Sequence, residues 1–362
     1  MNRLQQLPTF GQSVWLDYIR CDLMASGQLD RLIREDGIRG LTSNPAIFEK
    51  AIGGTDLYDA ALGTAVQAGL SEPEALYEHL AIADIRAAAD HFRPVYDRSE
   101  GADGFVSLEV SPRLANDADG TVAEAMRLWA DVDRPNLMIK VPGTPAGVTA
   151  LPRLLARGIS VNVTLLFARS AYRAIAEAWL AGLEQWVAGG GEAGRVASVA
   201  SFFVSRIDAA SDPELPTGLQ GQVAIANARA AYADYLALLE GPRWQALKAR
   251  GARPQRLLWA STGTKNPAYP DTLYMDALIG QDTVNTVPPA TLEAFRNHGT
   301  PARTLDTDLP AAQRVLDAAA AAGLDLDAVT TRLCAEGIEQ FETAFSQLLA
   351  AVAAKRDQLQ TA

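Results

Sequence analysis

The chain has 362 residues, 48% of them hydrophobic, which is enough for one large domain or two smaller ones. Its formal charge of −11 argues against a nucleic-acid or anionic-membrane surface, because binding to phosphates needs clustered Lys and Arg. The two cysteines, Cys21 and Cys334, lie far apart and match no disulfide or zinc pattern, and residues 1–12 contain no apolar signal segment. We therefore expect a soluble protein of the reducing cytoplasm.

Short apolar runs of β type alternate with longer stretches of helical pattern, which is typical of repeated βα units around a parallel sheet. Eight such runs can be marked, at residues 13–19, 40–44, 105–110, 136–142, 160–167, 198–206, 256–262 and 282–288. Eight is the strand number of the (β/α)8 or TIM barrel, so the pattern predicts that fold. Several runs turn polar at their C-terminal ends, where a barrel places its active site, at Asp17, Asn44, Glu109 and Lys140.

The clearest amphipathic helices between these runs are predicted at residues 71–92 and 168–187. The stretch between the second and third runs is long enough to imply additional helices. No fixed repeat and no Pro/Gly-rich linker divides the chain. The expected organisation is therefore a single barrel domain over residues 1–362.

Two more helical stretches follow the eighth run, at residues 309–324 and 326–356. Apolar residues in the second recur every three to five positions as one stripe, formed by Val329, Leu333, Ile338, Phe341, Phe345, Leu348 and Val352. A stripe of this kind is buried against a partner surface. We expect this last helix to pack across the barrel.

Lysine is scarce in this chain, with five residues against 27 arginines. Lys140 interrupts an apolar strand close to its end, in the run Asn136 to Thr144. Burial disfavours the charged form of an amine, and a neutral amine can attack a carbonyl to form a Schiff base. The alternative is a lysine that only forms a salt bridge at the barrel mouth. Position alone leaves both interpretations open.

Two carboxylates favour the reactive interpretation, because Asp17 and Glu109 also end apolar runs. In iminium chemistry, one carboxylate can take the substrate hydroxyl proton while another handles the water that the carbinolamine loses and regains. Either acid could instead pair only with Lys140 or cap the next helix. Adjacent carboxylates also stabilise an ammonium group and so oppose the effect of burial.

Several longer motifs extend this pattern beyond single residues. They are TSNPAIFEK (42–50), SLEVSPRLA (107–115), NLMIKVPGTPAGVTAL (136–151), SVNVTLLF (160–167), SFFVSRID (201–208), LLWASTGTKNPAY (257–269) and DTVNTVP (282–288). In this order they resemble the transaldolases over nearly the whole chain. The closest resemblance is to the longer bacterial members, some of which are fused to glucose-6-phosphate isomerase. Because this sequence ends at Ala362 after its last predicted helix, we expect no isomerase domain.

The resemblance implies an enzyme of the pentose phosphate pathway that needs no cofactor. Such an enzyme transfers a dihydroxyacetone unit from a ketose phosphate, such as sedoheptulose 7-phosphate or fructose 6-phosphate, to an aldose phosphate, such as glyceraldehyde 3-phosphate or erythrose 4-phosphate. By matched motif, Lys140 is then the Schiff-base lysine and Asp17 the acid/base for cleavage. Glu109 with Thr164 is the pair that positions the catalytic water.

The same resemblance implies that Asn44 and Asn162 bind the dihydroxyacetone hydroxyls, a role that suits amides because they both donate and accept hydrogen bonds. Ser201 matches a further substrate-contacting position. Asn44 has a second explanation, since it precedes Pro45 and could cap a helix that has proline at its first position.

The substrate phosphate needs cations and hydroxyl donors, and Arg206 and Ser261 match these positions. The chain departs from the pattern of the shorter transaldolases at Gly263, where an arginine is expected. Lys265 could supply the missing charge, or could be a solvated loop lysine. Arg206, taken alone, could form a surface ion pair.

Two rival functions remain open on the sequence. One is an aldolase of the same fold that releases free dihydroxyacetone, and the other is a non-catalytic barrel that binds sugar phosphates. The three histidines show no ligand spacing, so a metal site is not expected. Sugar phosphates are the expected partners, without nucleic acid or membrane. The sequence leaves monomer and homodimer open.

Overall fold

The computed structural model describes residues 2–361, and within them eight parallel strands close into a barrel in the order β1 to β8. The strands are β1 (Gln12–Asp17), β2 (Gly40–Thr42), β3 (Phe105–Glu109), β4 (Leu137–Pro142), β5 (Val161–Leu166), β6 (Ser198–Phe203), β7 (Arg256–Ala260) and β8 (Thr283–Val287). Each lies within the run predicted for it or extends it by one residue. The predicted (β/α)8 fold is confirmed. Met1 and Ala362, the ends of the expected domain, lie outside the described residues.

Helices surround the barrel and connect its strands. They are α1 (Cys21–Ala25), α2 (Gln28–Arg31), α3 (Pro45–Phe48), α4 (Asp59–Gln67), α5 (Pro73–Arg98), α6 (Ala118–Val132), α7 (Pro145–Leu155), α8 (Arg169–Ala188), α9 (Ser205–Ser211), α10 (Val223–Glu240), α11 (Pro242–Lys248), α12 (Leu273–Ala277), α13 (Pro289–His298), α14 (Leu309–Ala321) and α15 (Leu326–Thr361). Helices α3 to α5 all lie between β2 and β3. No helix within residues 2–361 is both long and apolar enough to cross a membrane.

The two amphipathic helices predicted from periodicity are present as α5 and α8. Helix α5 begins with Pro73 in its first turn, where a backbone N–H has no hydrogen-bond partner within the helix, so the missing proline N–H costs no helical hydrogen bond. It runs six residues beyond the predicted end, through Pro94 to Arg98. Val95 is buried there, and the Tyr96 ring packs edge-on against Phe105 of β3 at 5.4 Å. Packing on the barrel thus extends the helix past its internal proline.

Helix α15 contacts the helices α3, α5 and α9 and the strand β5. Six residues of its predicted stripe are buried, whereas Ile338 is only partly buried. The neighbouring Gly337 approaches β5 so closely that a Cβ there would lie 2.9 Å from Leu165 Cδ2. Leu165 itself has a positive φ of 60° at an irregularity in β5. The helix therefore contacts the barrel closely at the irregularity of β5.

Candidate active site

Lys140 is the fourth residue of β4, and its side chain is buried at the C-terminal end of the barrel, with 5% of the residue exposed. Its Nζ donates to Glu109 Oε2 and to the carbonyl oxygen of Ser43, both at 3.1 Å. Lys140 and Glu109 are partners in the β3–β4 register, which brings their side chains together. Lys140 therefore forms the salt bridge expected of a purely structural lysine. Whether it is also a reactive amine depends on the groups that surround the pair.

Asp17 ends β1 and faces the same cavity as Lys140. The Thr42 hydroxyl donates to Asp17 Oδ1 at 2.7 Å, and the Thr286 hydroxyl lies 2.7 Å from that of Thr42. Removal from water raises the pKa of Asp17 above its usual value, while the charge of Lys140, the Thr42 hydrogen bond and the charge of Lys265 oppose the increase. A carboxyl group with a raised pKa is well suited to accept and return a proton.

Glu109 lies against Lys140 with 8% of the residue exposed. Burial raises the pKa of Glu109, the charge and hydrogen bond of Lys140 lower it, and Asp17 adds to the increase. Its second oxygen, Oε1, and the Thr164 hydroxyl are both buried and have no hydrogen-bond partner among the described residues. Buried polar groups of this kind can hold a water molecule or a substrate hydroxyl.

The neutral polar residues divide into two groups. Asn44 caps α3 by accepting a hydrogen bond from the Ile47 amide at 3.0 Å, so the capping interpretation is confirmed, and its side chain also lines the cavity. Asn162 is fully buried and does not line the cavity. It accepts a hydrogen bond from the Ser201 hydroxyl at 2.6 Å and donates to Ser107 Oγ at 3.1 Å. Asn162 therefore orients Ser201, which does face the cavity.

Two cations, Arg206 and Lys265, share the cavity with Asp17 and Lys140. Arg206 donates to Gln340 Oε1 of α15 at 2.8 Å. Burial lowers the pKa of Arg206, and the pKa of Lys265 is lowered by partial desolvation and by the charge of Arg206. Within residues 2–361 no carboxylate forms a salt bridge with Arg206, although the charge of Glu336 opposes the lowering of its pKa. The two like charges instead lie close enough to repel each other.

Ser261, directly after β7, lines the cavity near these cations. Its φ is +55°, an uncommon backbone conformation for a serine. Its carbonyl accepts from the Ser205 amide at 3.0 Å, and the two hydroxyls lie 3.1 Å apart. These bonds to the first residue of α9 fix Ser261 next to Arg206. Gly263 and Lys265 both line the cavity.

The cavity thus collects residues from almost every strand end. It is lined by Asp17, Thr42, Asn44, Lys140, Thr164, Ser201, Phe203, Arg206, Ala260, Ser261, Gly263, Lys265, Thr286, Pro288 and Phe341. All predicted site residues are among them except Glu109 and Asn162, each of which bonds to a lining residue. Nothing in residues 2–361 groups three or more His, Cys, Asp or Glu side chains so that they could hold a metal ion.

Comparison with known proteins agrees with this geometry. The family model described as transaldolase/fructose-6-phosphate aldolase matches residues 14–352. The chain belongs to this family. It is 48% identical over 359 residues to a transaldolase of Thiobacillus denitrificans, covering 97% of this chain and all of the relative. A transaldolase of Neisseria gonorrhoeae is 48% identical over 97% of this chain and 99% of its own length.

A transaldolase of Trichodesmium erythraeum is 43% identical over 96% of both chains. The predicted resemblance to the transaldolases is therefore confirmed, and with it the prediction of an enzyme. The matches cover nearly the whole chain, as the resemblance implied.

Four residues at the site were not predicted from the sequence. Thr42 and Thr286 lie within the motifs at residues 42–50 and 282–288. Each is a polar residue at the end of a strand, and this position could have indicated their role. Phe341 lies with its ring centroid 5.5 Å from Lys140 Nζ, although its spacing in the stripe indicated only core packing. Gln340 carried no signal, because its contact with Arg206 joins segments 134 residues apart.

Proposed function

We propose that this chain is a transaldolase, which transfers a dihydroxyacetone unit from a ketose phosphate to an aldose phosphate through a Schiff base on Lys140. The observation that carries the proposal is the buried Lys140 amine, which contacts Glu109 at 3.1 Å and shares a cavity with Asp17, Arg206 and Lys265. The amine and acids supply iminium chemistry, and the cations supply a phosphate site.

Iminium formation uses Lys140 with Glu109. Glu109 Oε2, with its raised pKa, takes a proton from the Nζ it contacts, and the neutral amine attacks the ketose carbonyl carbon. The carbinolamine then loses its hydroxyl as water when a proton is returned to it. Glu109 Oε1 and Thr164 Oγ1, which lack partners among the described residues, bind that water and later deliver it for hydrolysis.

Cleavage uses Asp17. Its carboxylate accepts the proton of the hydroxyl β to the iminium carbon, the adjacent C–C bond breaks, and its electron pair moves into the iminium to form an enamine. The shortened aldose phosphate leaves. For the second half-reaction, an aldose phosphate binds, the enamine attacks its aldehyde carbon, and Asp17 returns the proton to the new hydroxyl.

Transfer requires that the enamine survive until the acceptor arrives. Phe341 of α15 lies over Lys140, and Asn44 and Ser201 are placed to bind the hydroxyls of the retained unit, with Asn162 fixing Ser201. An apolar ring over the amine limits the access of water that would protonate or hydrolyse the intermediate. We propose that α15 packs across the mouth for this purpose, within a single barrel domain.

The phosphate of either substrate binds to Arg206, Lys265 and Ser261 at the same cavity. Two cations and a hydroxyl donor suit a dianion, and they give the acidic protein a local positive region. Sugar phosphates are then the partners, and no residue of the proposed mechanism requires a cofactor. Both cysteines are free thiols, which fits an enzyme of the reducing cytoplasm, as monomer or homodimer.

Borohydride reduction in the presence of fructose 6-phosphate tests the Schiff base. We expect a reduced three-carbon or six-carbon adduct on the peptide that contains Lys140 and on no other lysine peptide. A known Schiff-base aldolase treated in parallel is the positive control. If that control is trapped and this chain is not, the proposed chemistry is wrong.

Product analysis separates transfer from release. With fructose 6-phosphate and erythrose 4-phosphate we expect sedoheptulose 7-phosphate, and little dihydroxyacetone when the acceptor is omitted. Substantial free dihydroxyacetone together with no sedoheptulose 7-phosphate would instead identify an aldolase of the same family.

The Thr42 hydroxyl gives a test of pH dependence. Its hydrogen bond lowers the pKa of Asp17, so Thr42→Val raises that pKa further. Cleavage needs the ionised carboxylate, and activity falls as pH drops through the pKa of Asp17. We therefore expect the acid limb of the kcat profile to move to higher pH, measured from pH 4 to 9.

Thr286→Val is the matched control, since it removes the outer hydroxyl but leaves the bond from Thr42 to Asp17. Its acid limb should move less than that of Thr42→Val. An acid limb that stays in place or moves to lower pH in Thr42→Val would show that Asp17 does not set it.

A further inference from the structure

Two tyrosine–aspartate hydrogen bonds join the two segments that carry the cations. Tyr269 Oη donates to Asp212 Oδ2 at 2.6 Å, and Tyr274 Oη donates to Asp208 Oδ2 at 2.9 Å. The aspartates follow Arg206 in and directly after α9, and the tyrosines follow Lys265 after β7. We call residues 261–272 the cation loop.

Both aspartates are firmly held. Asp212 Oδ1 accepts from the Gly221 amide at 2.9 Å, and Asp208 Oδ1 accepts from the Ala224 amide at 2.7 Å. Each carboxylate thus uses one oxygen for the backbone near the start of α10 and the other for a tyrosine of the facing segment. Asp212 is 9% exposed and Asp208 is 1% exposed, so both are buried, hydrogen-bonded acids rather than solvated surface acids.

The cation loop needs such an attachment. Lys265 is exposed and makes no hydrogen bond or ion pair within the part of the chain that the structure describes. The loop between β7 and α12 lacks helix or strand structure of its own. Burial lowers the pKa of Lys265, and the charge of Arg206 lowers it further. Repulsion between the cations favours outward movement of the loop when no anion is bound.

We propose that Tyr269 and Asp212 are positioning residues for phosphate recognition, whose hydrogen bond holds the cation loop so that Lys265 and Arg206 meet the same phosphate. The proposal rests on the proposed function only in its use of the phosphate site. Tyr269 and Asp212 contact no substrate and act through Lys265. They determine preference for phosphorylated over unphosphorylated substrates, because only the phosphate uses both cations.

Tyr269→Phe removes the donor and keeps the ring that packs against Gly221. We expect the affinity for inorganic phosphate, measured by calorimetry on the full chain, to fall roughly five-fold, as for the loss of one hydrogen bond. The KM for glyceraldehyde 3-phosphate should rise by a similar factor at saturating donor. The kcat value and the KM for unphosphorylated glyceraldehyde should stay unchanged. Asp212→Ala is a second variant in which the same changes are expected, because alanine has no group that can bond to the Tyr269 hydroxyl.

Tyr58→Phe is the matched control, because it removes an equally short tyrosine–aspartate bond, from Tyr58 to Asp84 at 2.6 Å, away from the cation loop. It should leave phosphate affinity unchanged. In a Lys265→Met background, Tyr269→Phe should cause no additional loss, since the bond acts through that lysine.

The outcomes are distinct. Equal losses in Tyr269→Phe and Tyr58→Phe, or a full additional loss in the Lys265→Met background, would make the bond a general structural contact and overturn the proposal. Weaker phosphate binding in Lys265→Met with none in Tyr269→Phe or Asp212→Ala would overturn it as well. If neither Arg206→Met nor Lys265→Met weakens phosphate binding, the phosphate site itself is wrong and the proposal fails with it. Trapping at Lys140 is independent of these results.

Discussion

Replacing Lys140 with methionine is expected to abolish transfer from fructose 6-phosphate, with kcat lower by roughly 10⁴-fold or more, as for loss of the nucleophile in covalent catalysis. Methionine has nearly the same length and shape but no amine, so no iminium forms and borohydride traps nothing. The measurements are steady-state turnover and the mass of the peptide containing residue 140 after reduction.

The substitution should leave the fold intact. Lys140 lowers the pKa of Glu109, so its removal raises that pKa further, and Glu109 takes up a proton instead of staying as an unpaired buried charge. Thermal unfolding will show whether the folded state persists. Lys265→Met is the matched control, because it removes another cavity lysine but keeps trapping at Lys140. Turnover by a folded Lys140→Met protein would reject the covalent mechanism.

The barrel was predictable because nearly all residues of its strands are buried, so that the strands are visible in the sequence as mainly apolar runs. In β4 and β5 every residue is buried, and the predicted runs exceed these strands by only one residue at an end. The C-terminal end of α5 was harder to predict from the sequence. Its last turn depends on the contact between Tyr96 and Phe105, and no local pattern reports a contact across the chain.

The site was predictable to the extent that strand ends carry it. Asp17, Glu109 and Lys140 each end or interrupt an apolar run, and the closed barrel brings such positions together. Phe341 and the tyrosine–aspartate bonds could not be inferred, because they depend on long-range contacts made by α15 and by the cation loop. Periodicity specifies which face of a helix is buried but not which side chain covers a reacting group.

Replacing Asp17 with asparagine should separate the two halves of the mechanism. We expect kcat for transfer to fall by about 10²–10⁴-fold, the usual contribution of a general acid or base. Asparagine has the same shape, and its amide oxygen can still accept the hydrogen bond from Thr42, but it cannot take the substrate hydroxyl proton. Lys140 and Glu109 stay in place, so the iminium still forms.

The diagnostic measurement is borohydride trapping of the Asp17→Asn protein. An adduct on Lys140 should persist and carry the whole six-carbon donor, because the C–C bond is not broken before reduction. Glu109→Gln should differ from Asp17→Asn, because removal of the base that contacts Nζ should slow formation of the adduct itself. If Asp17→Asn prevents the adduct as completely as Lys140→Met, Asp17 acts before cleavage. If it turns over at the normal rate, the cleavage base is another group of the cavity.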